Sequence, residues 1–329
     1  MSPHASPSLT PALLPGSGHQ VLDLFAGTGV SVAVHNLGAT DTGVEIMPEA
    51  ILSRDAAGFV TAYTDVWDSY LAEAIKFDTL WASPPCQQYS YSNRSAGRRK
   101  LDGVQEIIDG RRYENIEDLQ AAAEELGEAK AGLVLTPLHY VHKFRPTYVA
   151  LEQVPAVLPV WESVAVVLQE LGYSTWTGIL NAEQYGVPQT RRRAILIARR
   201  DGGTAAKPVP THSAYYAKEP ARLDDGVLPY ITIGDALSEL GELRPEVQAW
   251  EWLDTPATTL CGDPRIGTRG HHYGSQMKDA LRLTIQEAAL VQSYPADFPF
   301  QGGSGKQFLQ AGNAVPPKLA EAVLTAAWS

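Results

Sequence analysis

Apolar runs alternate with glycine turns and helical periods from residue 20 to residue 200. Residues 21–25 form an apolar run that ends in a glycine turn, residues 30–37 have helical spacing, and residues 41–45 form a second run. Because this strand, helix, strand order continues, the pattern predicts an α/β fold with a doubly wound, Rossmann-like sheet. Further helices are predicted over residues 48–57, 119–142 and 161–171, and further strands up to residue 65 and over residues 77–82, 147–151, 173–180 and 194–198.

The regular pattern ends near Arg200. Residues 201–305 are rich in glycine, proline and threonine and show few clear periods, which predicts a smaller, irregular second domain. Residues 313–328 are helical again, with an apolar face suited to docking onto the first domain. We therefore expect a flexible tail over residues 1–19, a large domain over 20–200, a small domain over 201–309 and a returning helix over 310–329.

Composition narrows the class of protein. With 329 residues, 44% of them hydrophobic, the chain can bury a large core. It has no apolar run of about 18 residues and no signal-peptide layout at its start, so a cytoplasmic protein without membrane contact is expected. Two cysteines are too few for a disulfide framework or a four-ligand zinc site, and no metal is expected.

The charge distribution is uneven. The formal net charge of -11 argues against a protein that coats nucleic acid by bulk electrostatics. Two basic clusters, NRSAGRRK at residues 93–100 and QTRRRAILIARR at residues 189–200, run against this total. Taken alone, either cluster fits a solvated loop or strand end as well as it fits a contact with nucleic acid.

A glycine turn and two acidic strand ends suggest a ligand. The sequence DLFAGTG at residues 23–29 places glycines where a strand turns into a helix, so the backbone can approach a ligand closely. Alone it is a weak signal, because a structural turn has the same appearance. Glu45 ends the next strand, where a carboxylate can hold ribose hydroxyls, and Asp65 can accept from an adenine amino group or cap a helix. Together they indicate a cofactor that carries a nucleoside.

Cys86 follows two prolines directly after a predicted strand, in the sequence WASPPCQQYS. Ligands of open α/β sheets bind outside the carboxyl ends of the strands, and the prolines restrict the direction of the sulfur. A cysteine in this position is either a small buried residue or a nucleophile, and a nucleophile requires a lowered pKa or a nearby positive group. Position alone leaves both interpretations open.

Six motifs follow one another along the chain. They are FAGTG at 25–29, PPCQ at 84–87, LEQV at 151–154, GYSTWTGILNAEQYGVPQTRRRAILIA at 172–198, LTIQEAALVQSYP at 283–295 and QAGNAVPP at 310–317. In type and order they resemble the motifs of DNA cytosine-5 methyltransferases of the bacterial or phage type. The resemblance extends from about residue 20 to the end of the chain, except for residues 102–130 and the middle of the second domain.

The resemblance implies methyl transfer from S-adenosyl-L-methionine to C5 of a cytosine flipped out of double-stranded DNA. Cys86 would add to C6 of the base, Glu152 would bind N3 and the amino group, and Arg193 would bind O2. Arg191 and Gln189 would help to order the site. The sequence does not identify the base that removes the C5 proton, for which a water is suitable.

The resemblance also assigns positions to the cofactor and to DNA. Phe25, which fits plain core equally well, would contact the adenine, Glu45 the ribose and Asp65 the adenine amino group. The other cofactor positions are Ala26, Gly27, Thr28, Gly29, Ile46, Val66, Pro84, Asn313, Ala314 and Val315. Residues 87–103 look like a mobile loop that would close over DNA. The expected DNA contacts are Gln87, Ser90, Arg94, Arg98, Arg99 and Gln189.

The small domain would recognise the target sequence, which cannot be read because base contacts depend on loop geometry. Its segments at residues 256–265 and 268–274 could meet DNA, although His271 and His272 read better as polar surface, and Cys261 reads as a packed small residue. A restriction endonuclease would be the partner in a restriction–modification system. We expect a monomer.

Two departures from the family pattern bear on activity. Gln153 takes the place of an asparagine that normally orders the backbone around the cysteine, so one extra methylene could loosen the site. Residues 102–130 look like an acidic, helical insertion that extends the loop region.

Three alternatives remain. A methyltransferase acting on an exocyclic nitrogen would share SPP at residues 83–85, but Cys86 stands where that class has an aromatic residue. An RNA cytosine-5 methyltransferase acting on transfer RNA would carry Cys-Phe-Thr, which is absent. A catalytically weak or inactive DNA-binding homologue would bind cofactor without methyl transfer, although Cys86, Glu152, Arg191 and Arg193 are all intact.

Overall fold

A computed structural model describes residues 18–85, 94–125, 132–266 and 280–329. For residues 94–101 it describes the backbone only. The central sheet is built from β1 (Gln20–Leu24), β2 (Thr40–Val44), β3 (Val60–Tyr63), β4 (Thr79–Ala82), β5 (Tyr148–Gln153), β6 (Ser174–Asn181) and β7 (Arg192–Arg199). These seven strands lie in the order β3-β2-β1-β4-β5-β7-β6. The first five are parallel, and β7 runs antiparallel to both of its neighbours. The predicted α/β fold with a Rossmann-like sheet is confirmed.

Helices cover both faces of the sheet. They are α1 (Gly29–Asn36), α2 (Pro48–Ala56), α3 (Arg94–Asp109), α4 (Ile116–Glu125), α5 (Thr136–Phe144), α6 (Leu158–Glu170), α7 (Ile233–Leu237), α8 (Pro245–Gln248), α9 (Ile285–Val291), α10 (Ser304–Asn313) and α11 (Pro317–Trp328). Apolar residues of α3, α5 and α6 pack on one face of the sheet, and those of α1 and α11 pack on the other. The central strands are buried on both faces, so their sequences are nearly continuous apolar runs.

Prolines interrupt two stretches that the sequence pattern predicts as helical. Within residues 119–142, Leu133–Leu135 form a 3-10 turn and α5 begins at Thr136, with Pro137 in its first turn. Near residue 313, α10 ends and α11 begins only at Pro317. A proline lacks the amide hydrogen that an unbroken helix needs, but it is well suited to a first turn.

The described residues between 201 and 303 contain short elements only. Besides α7, α8 and α9, the described part holds a two-stranded sheet of β8 (Arg265–Ile266) and β9 (Leu281–Arg282). An apolar cluster joins this region to the first, because Val32 of α1 and Phe59 pack with Leu260 and Leu290. Within the described ranges, no helix is long and apolar enough to cross a membrane.

Candidate functional site

The strand order reverses between β1 and β4, which are neighbours in the middle of the sheet. After β1 the chain continues through β2 and β3 toward one edge of the sheet, and after β4 it continues through β5 toward the other. In open α/β sheets a ligand binds outside the carboxyl ends of the strands at such a point. The glycine turn after β1, Glu45 after β2 and Pro84 after β4 all lie at this edge.

The turn after β1 is held by the carboxylate of Glu45. Phe25 and Gly27 have positive φ angles, 59° and 47°, so the turn has left-handed backbone at two positions. The Gly27 amide donates to Glu45 Oε2 at 2.8 Å, and the Met47 amide donates to Oε1 at 2.7 Å. The Ala26 amide also donates to the carbonyl of Val44 at 3.0 Å. Glu45 therefore fixes the turn while keeping further lone pairs for a ligand.

Gly29 marks a close approach between distant parts of the chain. A Cβ atom added there would overlap the carbonyl oxygen of Val315 and lie 2.9 Å from the hydroxyl of Tyr294. That hydroxyl is 2.8 Å from Oγ1 of Thr28, which is buried. The segment after α10 therefore packs directly on the glycine turn. Asn313 is exposed there, whereas Ala314 and Val315 are buried.

Asp65 and Val66 form a turn beyond β3. Asp65 Oδ1 accepts a 3.0 Å hydrogen bond from the amide of Trp67, which is the pattern of an Asx turn, while Asp68 stands at the N-cap position of the following short helix without a side-chain capping bond. The carbonyl of Val66 accepts a 2.8 Å hydrogen bond from the hydroxyl of Tyr140. Ile46, at the end of β2, is 68% exposed, so an unusually open apolar side chain lies at the same edge of the sheet.

Asp23 is a buried carboxyl without a hydrogen-bond partner among the described residues. It lies on β1, two residues before the glycine turn, and is 0% exposed. Burial raises the pKa of Asp23 well above its usual range, Arg54 opposes the rise, and Asp41 and Glu45 add to it. An orphaned buried acid requires an explanation, and one explanation is a missing polar or cationic partner.

The ends of β5 and β7 bring together a carboxylate and a guanidinium. Arg193 Nε lies 2.6 Å from Glu152 Oε1, and the two side chains are 11% and 8% exposed. The next residue on β5, Gln153, donates from Nε2 to the carbonyl of Pro84 at 2.6 Å. The ion pair is thus adjacent to the proline turn that leads to Cys86. Cys86 itself, together with Gln87 and Ser90, lies outside the described residues.

Arg191 and Gln189 are buried in protein contacts. Arg191 is 2% exposed and donates to the carbonyls of Leu260, Gly312 and Ala314. Gln189 is 0% exposed, and its amide bonds to Val291, Gln292 and Leu260. The polar atoms of Gln189 are thus used inside the protein, and its expected contact with DNA stays a prediction. Arg191 likewise uses its hydrogen bonds to hold the segments around the site.

The predicted loop over residues 87–103 is helical in its second half, since α3 begins at Arg94. Arg94, Arg98 and Arg99 fall in the first turns of α3, and their side chains lie outside the described part. A helix is formed there because residues 104–108 supply an apolar face, Val104, Ile107 and Ile108, that packs in the core.

Three buried residues that hydrogen-bond the candidate cofactor segments were not predicted from the sequence: Arg54, Tyr140 and Tyr294. Their hydrogen bonds reach Gly27, Val66 and Thr28, respectively. One signal was available for Arg54. Gly43 interrupts β2, and a glycine inside a strand indicates close approach of another group.

The sheet order defines a Rossmann-like α/β fold, which two methyltransferases of known structure share. The Dnmt2 methyltransferase of S. pombe has the same fold, with a TM-score of 0.60 at 15% identity over 94% of this chain and 97% of that one. A putative DNA modification methyltransferase encoded within an E. coli prophage also superposes, with a TM-score of 0.59 at 17% identity over 94% and 98% of the two chains.

The chain belongs to the C-5 cytosine-specific DNA methylase family, whose model matches residues 120–255 and 238–328. It is 27% identical over 323 residues to the type II methyltransferase M.AplI of Arthrospira platensis, covering 92% of this chain and 84% of that protein. It is 32% identical over 188 residues to M1.HphI of Haemophilus parahaemolyticus, covering 48% of this chain and 49% of that protein. The enzyme is thus an S-adenosylmethionine-dependent DNA cytosine-5 methyltransferase.

Proposed function

We propose that the protein methylates C5 of a cytosine flipped out of double-stranded DNA, with Cys86 as the nucleophile. The observation that carries the proposal is the junction of Gln153 with Pro84. It brings the proline turn that leads to Cys86 next to the Glu152–Arg193 pair. A nucleophile that follows this turn would join a carboxyl group and a cation at one edge of the sheet, a set of groups that can activate a pyrimidine ring.

The chemistry of cytosine determines the steps of the reaction. Carbon C5 is a weak nucleophile until the thiolate of Cys86 adds to C6. The carboxyl group of Glu152 would hydrogen-bond N3 and the amino group, which makes C6 more electrophilic and selects cytosine. S-adenosyl-L-methionine supplies an electrophilic methyl group on its sulfonium. After transfer, a base such as water removes the C5 proton, and the bond from C6 to the Cys86 sulfur breaks.

Arg193 is assigned to the O2 oxygen of the base. Its guanidinium is oriented by Glu152 through Nε and by the carbonyl of Arg192, which accepts from Nη1 at 2.7 Å. A planar, preorganised donor group is suited to stabilise negative charge that develops on O2. Arg191 and Gln189 contribute indirectly, because they hold the segments on which the site is built.

The described residues fit S-adenosyl-L-methionine. The orphaned carboxyl of Asp23 suits a cationic ligand group, because a cation would favour its ionised form. Glu45 retains lone pairs for ribose hydroxyls, and exposed Ile46 suits an adenine face. The remaining assignments are Phe25, Ala26, Gly27, Thr28, Gly29, Asp65, Val66, Pro84, Asn313, Ala314 and Val315.

DNA is assigned to the proline turn and the start of α3. Arg94, Arg98 and Arg99 would meet phosphates, and Gln87 and Ser90 would follow the extruded nucleotide. Residues 20–200 would form the catalytic unit, residues 201–309 the target-recognition unit, and residues 310–329 the closing helix. The type II designation of both curated relatives favours a restriction–modification role with a cognate endonuclease as partner.

Nucleoside mass spectrometry on DNA from cells that express the protein tests the proposal. We expect 5-methylcytosine with the wild-type protein and its loss in Cys86→Ala and Glu152→Gln. Glu162→Gln, an exposed position on α6, is the matched control and should retain the modification. DNA that contains 5-fluorocytosine should form a covalent complex with the wild-type protein, because fluorine takes the place of the C5 proton and a base cannot remove it.

Three results would contradict the proposal. Modification on an exocyclic nitrogen would exclude Cys86 as the nucleophile. Activity on RNA without activity on DNA would change the substrate. Folded protein that binds S-adenosyl-L-methionine and DNA but modifies neither would favour a binding-only protein.

A further inference from the structure

Arg54 of α2 is a buried arginine with a complete set of hydrogen bonds. Its side chain is 0% exposed. A guanidinium has five N–H donors, and each has an acceptor here. Nη1 donates to the Gly27 carbonyl at 3.1 Å and to Ser31 Oγ at 2.7 Å, Nη2 donates to Asp41 Oδ2 and the Val60 carbonyl at 2.7 Å each, and Nε donates to Thr61 Oγ1 at 3.0 Å.

The contact with Gly27 completes the fixation of the glycine turn. The amide of Gly27 donates to Glu45, and its carbonyl accepts from Arg54. The two polar groups of this residue are therefore held from different elements. Since Gly27 has left-handed backbone that glycine leaves readily, external contacts are needed to select one conformation of the turn.

Gly43 on β2 provides the space for the guanidinium. A Cβ atom at this position would overlap Nη2 and Cζ of Arg54 and lie 2.8 Å from Nε. A glycine inside a strand weakens the strand, so its presence indicates that another group must come close. The strand thus lacks a side chain at the point where Arg54 passes between the sheet and the turn.

The charge of Arg54 is compensated by Asp41. Burial opposes ionisation of Asp41, but hydrogen bonds from His35, Ser31 and Arg54, together with the charge of Arg54, hold its pKa below the usual range. A buried ion pair of this kind adds little net stability compared with apolar packing, because both charges lose their hydration. What the ion pair provides here is a fixed direction for the five N–H donors of Arg54.

We infer that Arg54 is a positioning residue for the cofactor, which acts by holding the Gly27 carbonyl and so sets the turn that binds S-adenosyl-L-methionine. This inference rests on the proposed function of that turn. Arg54 touches the turn and not the reacting atoms. Its loss should therefore weaken cofactor binding and leave the chemical step largely intact once the cofactor is bound.

Titration calorimetry with S-adenosyl-L-methionine and no DNA tests the inference. Arg54→Lys keeps the charge beside Asp41, but an ammonium group has three donors and lacks the planar guanidinium geometry, so it cannot hydrogen-bond all five acceptors. Gly43→Ala displaces the guanidinium from the opposite side. We expect each variant to raise the Kd about tenfold or more. In steady-state assays the cofactor KM should rise in parallel, while kcat changes less than about threefold and the KM for DNA is unchanged.

Thr61→Val is the matched control. It removes the acceptor for Nε and leaves the Gly27 contact in place, so it should lower the melting temperature without changing the Kd. Partial misfolding of any variant would lower the calorimetric stoichiometry and not the Kd of the folded fraction.

The inference is overturned if folded Arg54→Lys and Gly43→Ala bind with the wild-type Kd, or if Thr61→Val weakens binding as much as they do. Wild-type protein that binds cofactor but does not methylate cytosine would contradict the proposed function alone. Wild-type protein that does not bind S-adenosyl-L-methionine would contradict both.

Discussion

The side-chain amide of Gln153 joins the end of β5 to the turn that precedes Cys86. Nε2 donates to the carbonyl of Pro84 at 2.6 Å, and Oε1 accepts from the amide of Val154 at 2.5 Å. The side chain is 2% exposed; its contact with Pro84 is buried and its contact with Val154 is partly buried. The extra methylene relative to the usual asparagine is accommodated, and each polar atom has a partner. The concern that glutamine would loosen the site is not supported by these contacts.

Replacing Gln153 by leucine should slow methyl transfer. The substitution leaves a buried carbonyl and a buried amide without their partners, and the turn loses its fixed position. We expect the single-turnover rate to fall about tenfold or more, with little change in cofactor Kd. Gln169→Leu is the control, because its amide bonds to Thr175 on the exposed surface. A wild-type rate in Gln153→Leu would show that the turn is held by other contacts.

Arg193→Lys should impair the chemical step without affecting cofactor binding. Lysine retains the charge beside Glu152 but cannot bond Glu152, the Arg192 carbonyl and a base oxygen with one planar group. We expect kcat to fall about tenfold or more while the cofactor Kd stays constant. The comparison is with Arg192→Lys, whose side chain is exposed on the same strand. Equal effects in the two variants would argue for a general requirement for positive charge.

Periodicity predicted the sheet well because the strands around Leu24, Ala82 and Leu151 are buried on both faces and read as apolar runs. The same signal failed between residues 119 and 142, since Pro137 begins a new helix within an otherwise helical pattern. Proline position, and not hydrophobic spacing, decides such boundaries.

The motifs predicted which side chains come together better than how each side chain is used. Glu152 and Arg193 were expected at one place, and their side chains form an ion pair. Gln189 belongs to the same motif but is buried, because its neighbours from residues 260 and 291 come from a distant part of the chain. Arg54 was not predicted: Gly43 inside β2 indicates the close approach of some group, but a single arginine on a helix does not show that it is this group or that five acceptors surround it.

Gly29→Ala should abolish the cofactor site. The added methyl group would overlap the Val315 carbonyl, so the segment after α10 must move away from the glycine turn. Overpacking of this kind costs about 1–3 kcal/mol of stability. We expect a lower melting temperature and no measurable binding of S-adenosyl-L-methionine by calorimetry. Gly303→Ala has no atom within 4 Å of the added Cβ and should behave as wild type. Unchanged binding in Gly29→Ala would mean that this segment takes no part in the pocket.

Asp23→Asn should stabilise the protein at neutral pH and weaken cofactor binding. Because burial raises the pKa of Asp23, the folded state keeps a proton that the unfolded state releases above about pH 3.9. The unfolded state then binds fewer protons, so the free energy of unfolding contributed by this group falls as pH rises from about 4 toward the folded pKa. Asparagine does not titrate, and it removes this decline.

Urea unfolding from pH 4.5 to 8, alongside calorimetry, measures both effects of Asp23→Asn. The free energy of unfolding of the variant should exceed that of the wild type increasingly with pH, since burial, Asp41 and Glu45 raise the pKa of Asp23 and Arg54 offsets only part of this rise. Its cofactor Kd should rise, because an amide cannot compensate a cationic ligand. Asp55→Asn, at an exposed position of α2, removes a charge without either effect. If the pH dependence of Asp23→Asn matches that of the wild type, the carboxyl is ionised in the folded protein and must have a partner.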